Sequence, residues 1–134
     1  DKGARLICGG TAPDGPGYYY PPTVLADVPE TADCVADEIF GPVAAIQTFT
    51  DTDDVIRRAN DTEYGLVAYV FSGDMKRGMQ VCERLDYGMV GFNRGLVSDP
   101  AAPFGGTKQS GLGREGGHEG MHEFMETQYI SAEW

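Results

Sequence analysis

Basic residues are scarce in this chain: 10 of its 134 residues are Lys or Arg against 21 Asp or Glu, so the formal net charge is −11. Such an acidic surface repels nucleic-acid phosphates and anionic lipid head groups, and neither nucleic acid nor a membrane is expected as a partner. Long apolar runs are also missing, and the stretch from Asp1 to Arg5 has no apolar core of a signal peptide. These absences together predict a cytoplasmic protein.

Cysteines are few and do not form a recognisable pattern. Cys8, Cys34 and Cys82 are an odd number, widely spaced, with no C-x-x-C pair. This arrangement is typical of reduced thiols rather than of a disulfide framework or a zinc site. Since each cysteine has apolar neighbours, we expect small buried side chains and no nucleophile among them.

Glycine, in contrast, is abundant: 19 of 134 residues is about twice the usual share near 7%. The chain is long enough for one domain with a sizeable core, but much of it must be turns. The longest glycine-rich stretch, residues 103–117, is called the glycine loop below. It is too rich in glycine for regular structure, and an ordered loop is expected there.

Apolar patterning predicts an α/β fold. The expected elements are strands at 4–8 and 23–25 that pair as an edge hairpin, a strand at 43–49, a helix that begins at Thr52, a buried strand at 66–71, a helix from Met75 that stops by Gly88, and a strand at 89–92. Strands and helices that alternate with short connections are typical of successive crossover units. The pattern therefore predicts a parallel sheet covered by helices.

A short helix at 118–125 and a final strand over 127–131 complete the predicted elements. A lone strand at the end of a chain needs a partner, and another copy of the chain is a natural source. We therefore expect a homo-oligomer.

Two motifs match well-known signatures only in their letters. Residues 111–116 read G-x-G-x-x-G, but a loop precedes them where a dinucleotide site requires a strand. His118, Glu119 and His122 read H-E-x-x-H, the pattern of a zinc hydrolase. The expected helix is short, contains Gly120 and has few later residues to supply a third ligand, so a solvated helix face is favoured.

A carboxylate, an aromatic ring and a rigid turn are packed into the residues from Glu38 to Val43. Gly41 tolerates backbone angles that a side chain would hinder and Pro42 fixes φ, so the turn would present Glu38 and Phe40 in a definite orientation. A carboxylate near a ring can bind a pair of sugar hydroxyls while the ring contacts a flat heterocycle. The alternative is a strand-entry turn with an exposed glutamate and a core phenylalanine.

Several motifs, taken in order along the chain, resemble the C-terminal part of an aldehyde dehydrogenase. They are Glu38-Ile39-Phe40-Gly41-Pro42-Val43, Asn93, Pro103-Phe104-Gly105-Gly106, Lys108, Ser110-Gly111, Gly113-Arg114-Glu115 and Thr127-Gln128-Tyr129. The resemblance covers essentially the whole chain. Within that family, residues 93–98 and 103–116 are most similar to succinate-semialdehyde dehydrogenases.

The resemblance implies a bound NAD or NADP and an aldehyde substrate. Glu38 would accept hydrogen bonds from the nicotinamide ribose, and Phe40 would pack near the nicotinamide. Ser98 would help to bind the distal carboxylate of succinate semialdehyde, and Phe104 would line the same pocket. Arginines from upstream sequence would complete the carboxylate site.

The family's catalytic cysteine and glutamate have no counterpart in this chain, so no catalytic residue is expected here. The chain is expected to be a C-terminal fragment: residues 1–109 from the catalytic domain, 110–125 a glycine loop and short helix, and 126–134 an oligomerisation strand. The full-length enzyme would oxidise the aldehyde, and the fragment alone would be inactive. A non-catalytic interaction module and a zinc hydrolase remain as alternatives.

Overall fold

A computed structural model describes residues 2–134, which form two compact units, one up to Thr50 and the other from Asp51 to Trp134. Both contain strands and helices. The predicted segments 1–109, 110–125 and 126–134 were defined by the roles expected for them, and they stay a prediction.

The first unit is built on a three-stranded sheet in the order β1–β2–β3. Its elements are β1 Arg5–Cys8, β2 Thr23–Ala26, the short helix α1 Asp33–Ala36 and β3 Val43–Ala45. β1 pairs antiparallel with β2, which confirms the predicted hairpin, and β2 pairs parallel with β3. α1 was not predicted, and β3 is shorter than the predicted 43–49.

The buried centre of this unit is small. Val28 and Ala32 are 4% and 7% exposed. Thr23 is also buried, and its hydroxyl donates to the Pro21 carbonyl at 2.9 Å while it accepts from the Gly10 amide at 2.8 Å. Because a buried hydroxyl is costly unless it is hydrogen-bonded, these two contacts hold the loop after β1 against β2.

The second unit contains the crossover that the sequence predicted. Its elements are α2 Thr52–Asn60, β4 Tyr64–Gly65, β5 Val67–Val70, α3 Met75–Cys82, β6 Met89–Phe92, β7 Thr107–Lys108 and a 3₁₀ helix at Glu119–Phe124. β5 and β6 are parallel neighbours joined through α3, and β4 pairs antiparallel with β7.

The sequence predicted one parallel sheet, but the described part of the chain does not form one. The strands are divided among one three-stranded and two two-stranded sheets. Apolar periodicity locates a strand but carries no information about its partner, and here β3 pairs with β2 rather than with β5. The short pair β4–β7 had no periodicity to reveal it.

Aspartate side chains begin both long helices. The Asp51 carboxylate accepts from the Asp54 amide at 2.8 Å, and the Asp74 carboxylate accepts from the Arg77 amide at 3.1 Å. These contacts satisfy amides that a helix leaves unpaired in its first turn. The predicted start of the first of these helices at Thr52 is confirmed, and the residue that caps it is Asp51.

Ion pairs form on the surface of α2, and one of them connects α2 to the residues just after α3. Arg84 pairs with Asp53 at 2.7 Å. A hydrogen bond from Arg57 holds the pKa of Asp54 below its ordinary value, and the charge of Arg58 adds to this effect. The pairs of Arg84 with Asp53 and of Arg57 with Asp54 are exposed, so they contribute modestly to stability because solvent screens them.

Lys108 ties three segments of the second unit together from a backbone conformation that is uncommon outside glycine, with φ of 55°. Its Nζ donates to the carbonyl oxygens of Asn60 at 2.9 Å and Thr62 at 3.2 Å, and it pairs with Asp86 at 3.1 Å. A cation at the last carbonyls of a helix is electrostatically favourable. β7 is thereby fixed to the end of α2 and to the turn before β6.

The C-terminal elements differ from the prediction. The expected helix at 118–125 is a 3₁₀ helix at Glu119–Phe124, and residues 126–134 are exposed and have no regular secondary structure. A strand exists only as part of a hydrogen-bonded ladder, which these residues do not form within the chain. The strand at 127–131 and its role in oligomerisation stay predictions.

The chain exposes far more surface than a self-contained domain of its mass. Its accessible area is 10434 Å², whereas a monomer of 14.4 kDa would expose about 6,800 Å². Among the described residues, the buried apolar side chains are those of Val28, Ala32 and Ile56. The expectation of a sizeable core was therefore wrong, and so was that of buried cysteines, since Cys8 is exposed and the other two are half-buried.

Within residues 2–134, no helix is long and apolar enough to cross a bilayer.

Gly88→Ala is predicted to destabilise the second unit. A Cβ at this position would overlap the carbonyl oxygen of Gly105 and lie 2.7 Å from the Cα of Gly106. Because these are backbone atoms, the glycine loop itself would have to move, at a cost of about 2 kcal/mol, which is typical of overpacking. The midpoint of chemical denaturation measures this effect.

Gly73→Ala is the matched control, because a Cβ there would have no atom within 4 Å. Its effect on the free energy of unfolding should stay below about 0.5 kcal/mol. Equal losses of stability in the two variants would contradict the close backbone packing at Gly88.

Candidate functional site

Glu38 and Phe40 lie on the irregular segment between α1 and β3. The Val43 amide donates to the Gly41 carbonyl at 2.8 Å, which closes a tight turn around Pro42, and the Pro42 carbonyl accepts from the Thr23 amide at 2.8 Å. The predicted rigid turn is thus present and fixed to β2. Gly41 does not need a glycine-specific backbone angle, because it is absent from the residues with positive φ.

Both side chains that the turn presents are open to solvent. The Phe40 ring is 95% exposed, and the Glu38 carboxylate forms no hydrogen bond or ion pair with any other residue that the structure describes. The alternative of a core phenylalanine is therefore wrong for this chain. An exposed ring beside a carboxylate with free acceptor oxygens has the groups that a ribose attached to a flat heterocycle would use.

Asn93 directs the chain out of β6. Its side-chain Oδ1 accepts from the Ser72 amide at 2.8 Å, and its Nδ2 donates to the Ser72 carbonyl at 2.8 Å. The backbone of Asn93 has a φ of 51°, a conformation that asparagine tolerates better than most residues. The loop that carries Ser98 therefore begins at a fixed point, where the carboxyl ends of β5 and β6 meet.

Ser98 lies on this loop with its side chain exposed. Its hydroxyl makes no hydrogen bond with the rest of residues 2–134. The hydroxyl is thus free to donate to a ligand.

Phe104 lies in an open cleft of about 350 Å³ in the second unit. The cleft is lined by Leu66, Phe104, Gly105, Gly106, Ser110, Leu112, Gly113, Arg114, Glu115, Glu123 and Phe124. Ser98 does not line it, so the expectation that Ser98 and Phe104 share one pocket stays a prediction. Glu38 and Phe40 belong to the other unit.

Backbone pairing fixes Phe104 in this cleft. The Phe104 amide donates to the Glu115 carbonyl at 2.7 Å, and the Glu115 amide donates to the Phe104 carbonyl at 2.8 Å. This reciprocal pair brings the two ends of the glycine loop together. These contacts agree with the expected ordered loop, but the expectation that it has no regular structure was wrong, because it contains the strand β7.

Arg114 crosses the same loop one residue further on. Its Nη1 donates to the carbonyl oxygens of Gly106 at 2.7 Å and Gly113 at 2.6 Å, while its own amide donates to the Glu123 carboxylate at 3.1 Å. Arg114 was not among the site residues predicted from the sequence. The sequence feature that could have indicated this role is the position of Arg114 among glycines. Glycine has no side chain, so its carbonyl oxygen is accessible to a nearby donor.

The glycine loop is also joined to β4 and to the turn before β6 through its hydroxyl side chains. The Gly65 amide donates to Ser110 Oγ at 2.9 Å, and Thr107 Oγ1 donates to the Asp86 carbonyl at 3.2 Å. Ser110 also lines the cleft. The two contacts fix the middle of the loop, and the end at Phe104 is fixed by the pair with Glu115.

The two signature-like motifs do not form their namesake sites. Residues 111–116 follow a turn rather than a strand, and the helix after them is a short 3₁₀ segment. In a 3₁₀ helix, side chains four residues apart point about 120° apart, unlike those of an α-helix. The rings of His118 and His122 lie edge to face at 5.6 Å, and from Lys2 to Trp134 no three His, Cys, Asp or Glu side chains are grouped to hold a metal ion.

Comparison with known families gives one match. The model described as "Aldehyde dehydrogenase family" matches residues 1–130 of this chain.

Curated relatives extend this match to particular enzymes. The chain is 58% identical over 130 residues to a succinate-semialdehyde dehydrogenase of Paenarthrobacter nicotinovorans, covering 97% of this chain and 29% of the relative. It is 48% identical over 130 residues to the NADP(+) succinate-semialdehyde dehydrogenase of Escherichia coli, covering 97% of this chain and 27% of the relative. The chain thus spans less than a third of the length of these relatives.

Solved structures agree in fold. An NADP-dependent enzyme of Escherichia coli matches with a TM-score of 0.91 and 49% identity over 96% of this chain and 27% of the other. A Mycobacterium tuberculosis aldehyde dehydrogenase solved with NAD⁺ matches with a TM-score of 0.84 and 44% identity, over 91% of this chain and 26% of the other. The α/β class predicted from the sequence is confirmed.

Proposed function

Because this chain belongs to the aldehyde dehydrogenase family, we propose that it is the C-terminal segment of an enzyme that oxidises succinate semialdehyde, or a similar aldehyde, to the carboxylic acid with NAD or NADP. The observation that carries the proposal is 58% identity to a succinate-semialdehyde dehydrogenase over 97% of the chain. The large exposed apolar surface supports the view that this segment packs against further polypeptide.

Glu38 and Phe40 are proposed to hold the nicotinamide end of the cofactor. The two oxygens of the Glu38 carboxylate can accept from two adjacent ribose hydroxyls, and the exposed Phe40 ring can pack against a flat ring. The cofactor would supply the hydride acceptor. The contribution of this chain would be orientation, since the tight turn at Pro42 fixes where both side chains emerge.

Ser98 is proposed to donate a hydrogen bond to the distal carboxylate of the substrate, and Phe104 to contact its apolar chain. The free Ser98 hydroxyl and the half-buried Phe104 ring support these roles. The nucleophilic thiolate and the general base would come from other parts of the enzyme. Cys8, Cys34 and Cys82 are not assigned to the reaction.

The second candidate is a non-catalytic association module. The exposed segment 126–134 favours it, because Tyr129 and Ile130 are 87% and 76% exposed and lie outside the sheets of the described residues. In the full-length enzyme the same segment is proposed to pair with another copy, giving a homo-oligomer. Cytoplasmic location stays a prediction.

The isolated 134-residue chain is predicted to have no dehydrogenase activity, whereas the full-length protein that carries it should reduce NAD⁺ or NADP⁺ when given succinate semialdehyde. The reason is that the chain lacks the nucleophile and base of the family's reaction. Absorbance at 340 nm, the ordinary assay for nicotinamide reduction, measures both.

Turnover by the isolated chain would contradict the assignment of chemistry to other parts of the enzyme. An inactive full-length protein would remove the proposed function altogether. Size-exclusion chromatography of the isolated chain tests the association module, and a strictly monomeric profile would count against it.

Glu38→Gln in the full-length protein is predicted to raise the KM for the cofactor, or to slow hydride transfer, by about tenfold. A hydrogen bond to a charged acceptor typically contributes about 1.5–3 kcal/mol, and the amide retains a single acceptor oxygen without the charge. Steady-state kinetics with varied cofactor concentration gives the KM, and single-turnover kinetics gives the hydride-transfer rate.

Glu83→Gln is the control, because it removes an exposed carboxylate at the end of α3. It should leave both parameters unchanged. A kinetic profile of Glu38→Gln that equals that of Glu83→Gln would remove Glu38 from the cofactor site.

Ser98→Ala is predicted to raise the KM for succinate semialdehyde by about tenfold, since a lost hydrogen bond to a charged group costs about 1.5 kcal/mol or more. Butyraldehyde, which has the same number of carbons but no carboxylate, is the matched control substrate. Its KM should not change. Parallel changes with both aldehydes would show that Ser98 does not contact the carboxylate.

A further inference from the structure

We propose that Arg114 is a positioning residue for the aldehyde: its contacts across the glycine loop fix Phe104 in the cleft and so set how tightly the substrate is held. This inference rests on the proposed substrate role of Phe104. Arg114 would act without touching the substrate, through two backbone carbonyls and one carboxylate of its own chain.

The first step is the geometry of the bridge. A single nitrogen, Nη1 of Arg114, donates to the carbonyl of Gly106 at 2.7 Å and to that of Gly113 at 2.6 Å. These carbonyls belong to opposite sides of the glycine loop. The guanidinium therefore joins the two sides immediately beyond the reciprocal pair between Phe104 and Glu115.

The second step is the fit of the arginine stem against Gly105, the residue next to Phe104. A Cβ on Gly105 would lie 2.8 Å from Arg114 Cδ and 2.6 Å from the Gly113 carbonyl oxygen. Contacts that short do not occur between real side chains, so the arginine occupies the space that a side chain at Gly105 would need. The backbone beside Phe104 is thereby confined in the direction that a Cβ of Gly105 would take.

The third step is the second attachment of Arg114. Its amide donates to the Glu123 carboxylate at 3.1 Å, and that carboxylate lies against Gly113. Glu123 belongs to the 3₁₀ helix at Glu119–Phe124, whose Phe124 lines the same cleft. Arg114 thus connects the wall that carries Phe104 with the wall that carries Phe124.

These contacts predict a specific kinetic signature in the full-length protein. Arg114→Gln should raise the KM for the aldehyde by about tenfold, while the KM for the cofactor stays within about twofold, since residues without shared contacts behave independently. In a Phe104→Ala background the same substitution should change the aldehyde KM by less than about twofold, because coupled residues give non-additive effects. Arg5→Gln, on exposed β1, is the arginine control and should leave both KM values unchanged.

Amide hydrogen exchange gives a readout that needs no activity. The Phe104 and Glu115 amides should exchange faster in Arg114→Gln than in the wild type, because their hydrogen bonds open more often once the bridge is lost. Unchanged exchange at both amides would overturn the inference whether or not the protein is an aldehyde dehydrogenase. An inactive wild type with faster exchange in the variant would overturn the proposed function, and with it the substrate part of the inference, while the bridge itself stands.

Two further outcomes are decisive. An aldehyde KM effect that persists at full size in the Phe104→Ala background would overturn the inference, because Arg114 would then act by another route. Where Arg114→Gln does not fold, Glu123→Ala removes the second attachment and keeps the guanidinium. It should raise the aldehyde KM by about threefold, and this rise should also vanish in the Phe104→Ala background; a rise that persists there, or no rise, overturns the inference.

Discussion

The second unit depends on backbone packed directly against backbone. The Gly88 amide donates to the Gly65 carbonyl at 2.9 Å, and at Gly88 and Gly65 a Cβ would overlap atoms of the glycine loop. Such close approach is available only to glycine. It allows the loop to lie on β4 and on the turn before β6, where Lys108 and Arg114 then reach carbonyl oxygens. The excess of glycine in the sequence is thus a packing requirement as well as a source of turns.

Few large apolar side chains are buried in this unit. Ile56 is the one buried large apolar side chain among the described residues of the second unit, at 5% exposure, whereas Leu112 and Phe124 are 100% and 91% exposed. Exposed apolar area of this extent costs free energy in water and is typical of a surface that contacts other polypeptide.

Sequence reasoning succeeded where the signal was local. The crossover β5–α3–β6, the hairpin β1–β2 and the order of the glycine loop follow from apolar runs, turn residues and helix caps. It failed where the outcome depends on distant partners. The pairing of β3 with β2, the tiny β4–β7 pair and the exposure of Cys8 are decided by which segments meet, and one sequence does not record this. Likewise, a strand at 127–131 requires a ladder that these residues cannot supply alone.

The candidate site shows the same division. The family resemblance gave roles to Glu38, Phe40, Ser98 and Phe104, whereas Arg114 was part of a motif but received no role. The Arg114 side chain donates to backbone carbonyl oxygens, which every residue has, so no particular acidic residue in the sequence indicates its partner. Its role is visible only in the structure, where the two sides of the loop lie together. Charged side chains that contact ligands are therefore the easier part of a site to find. The residues that hold those side chains in place bind backbone atoms, so only the fold shows which residues they are.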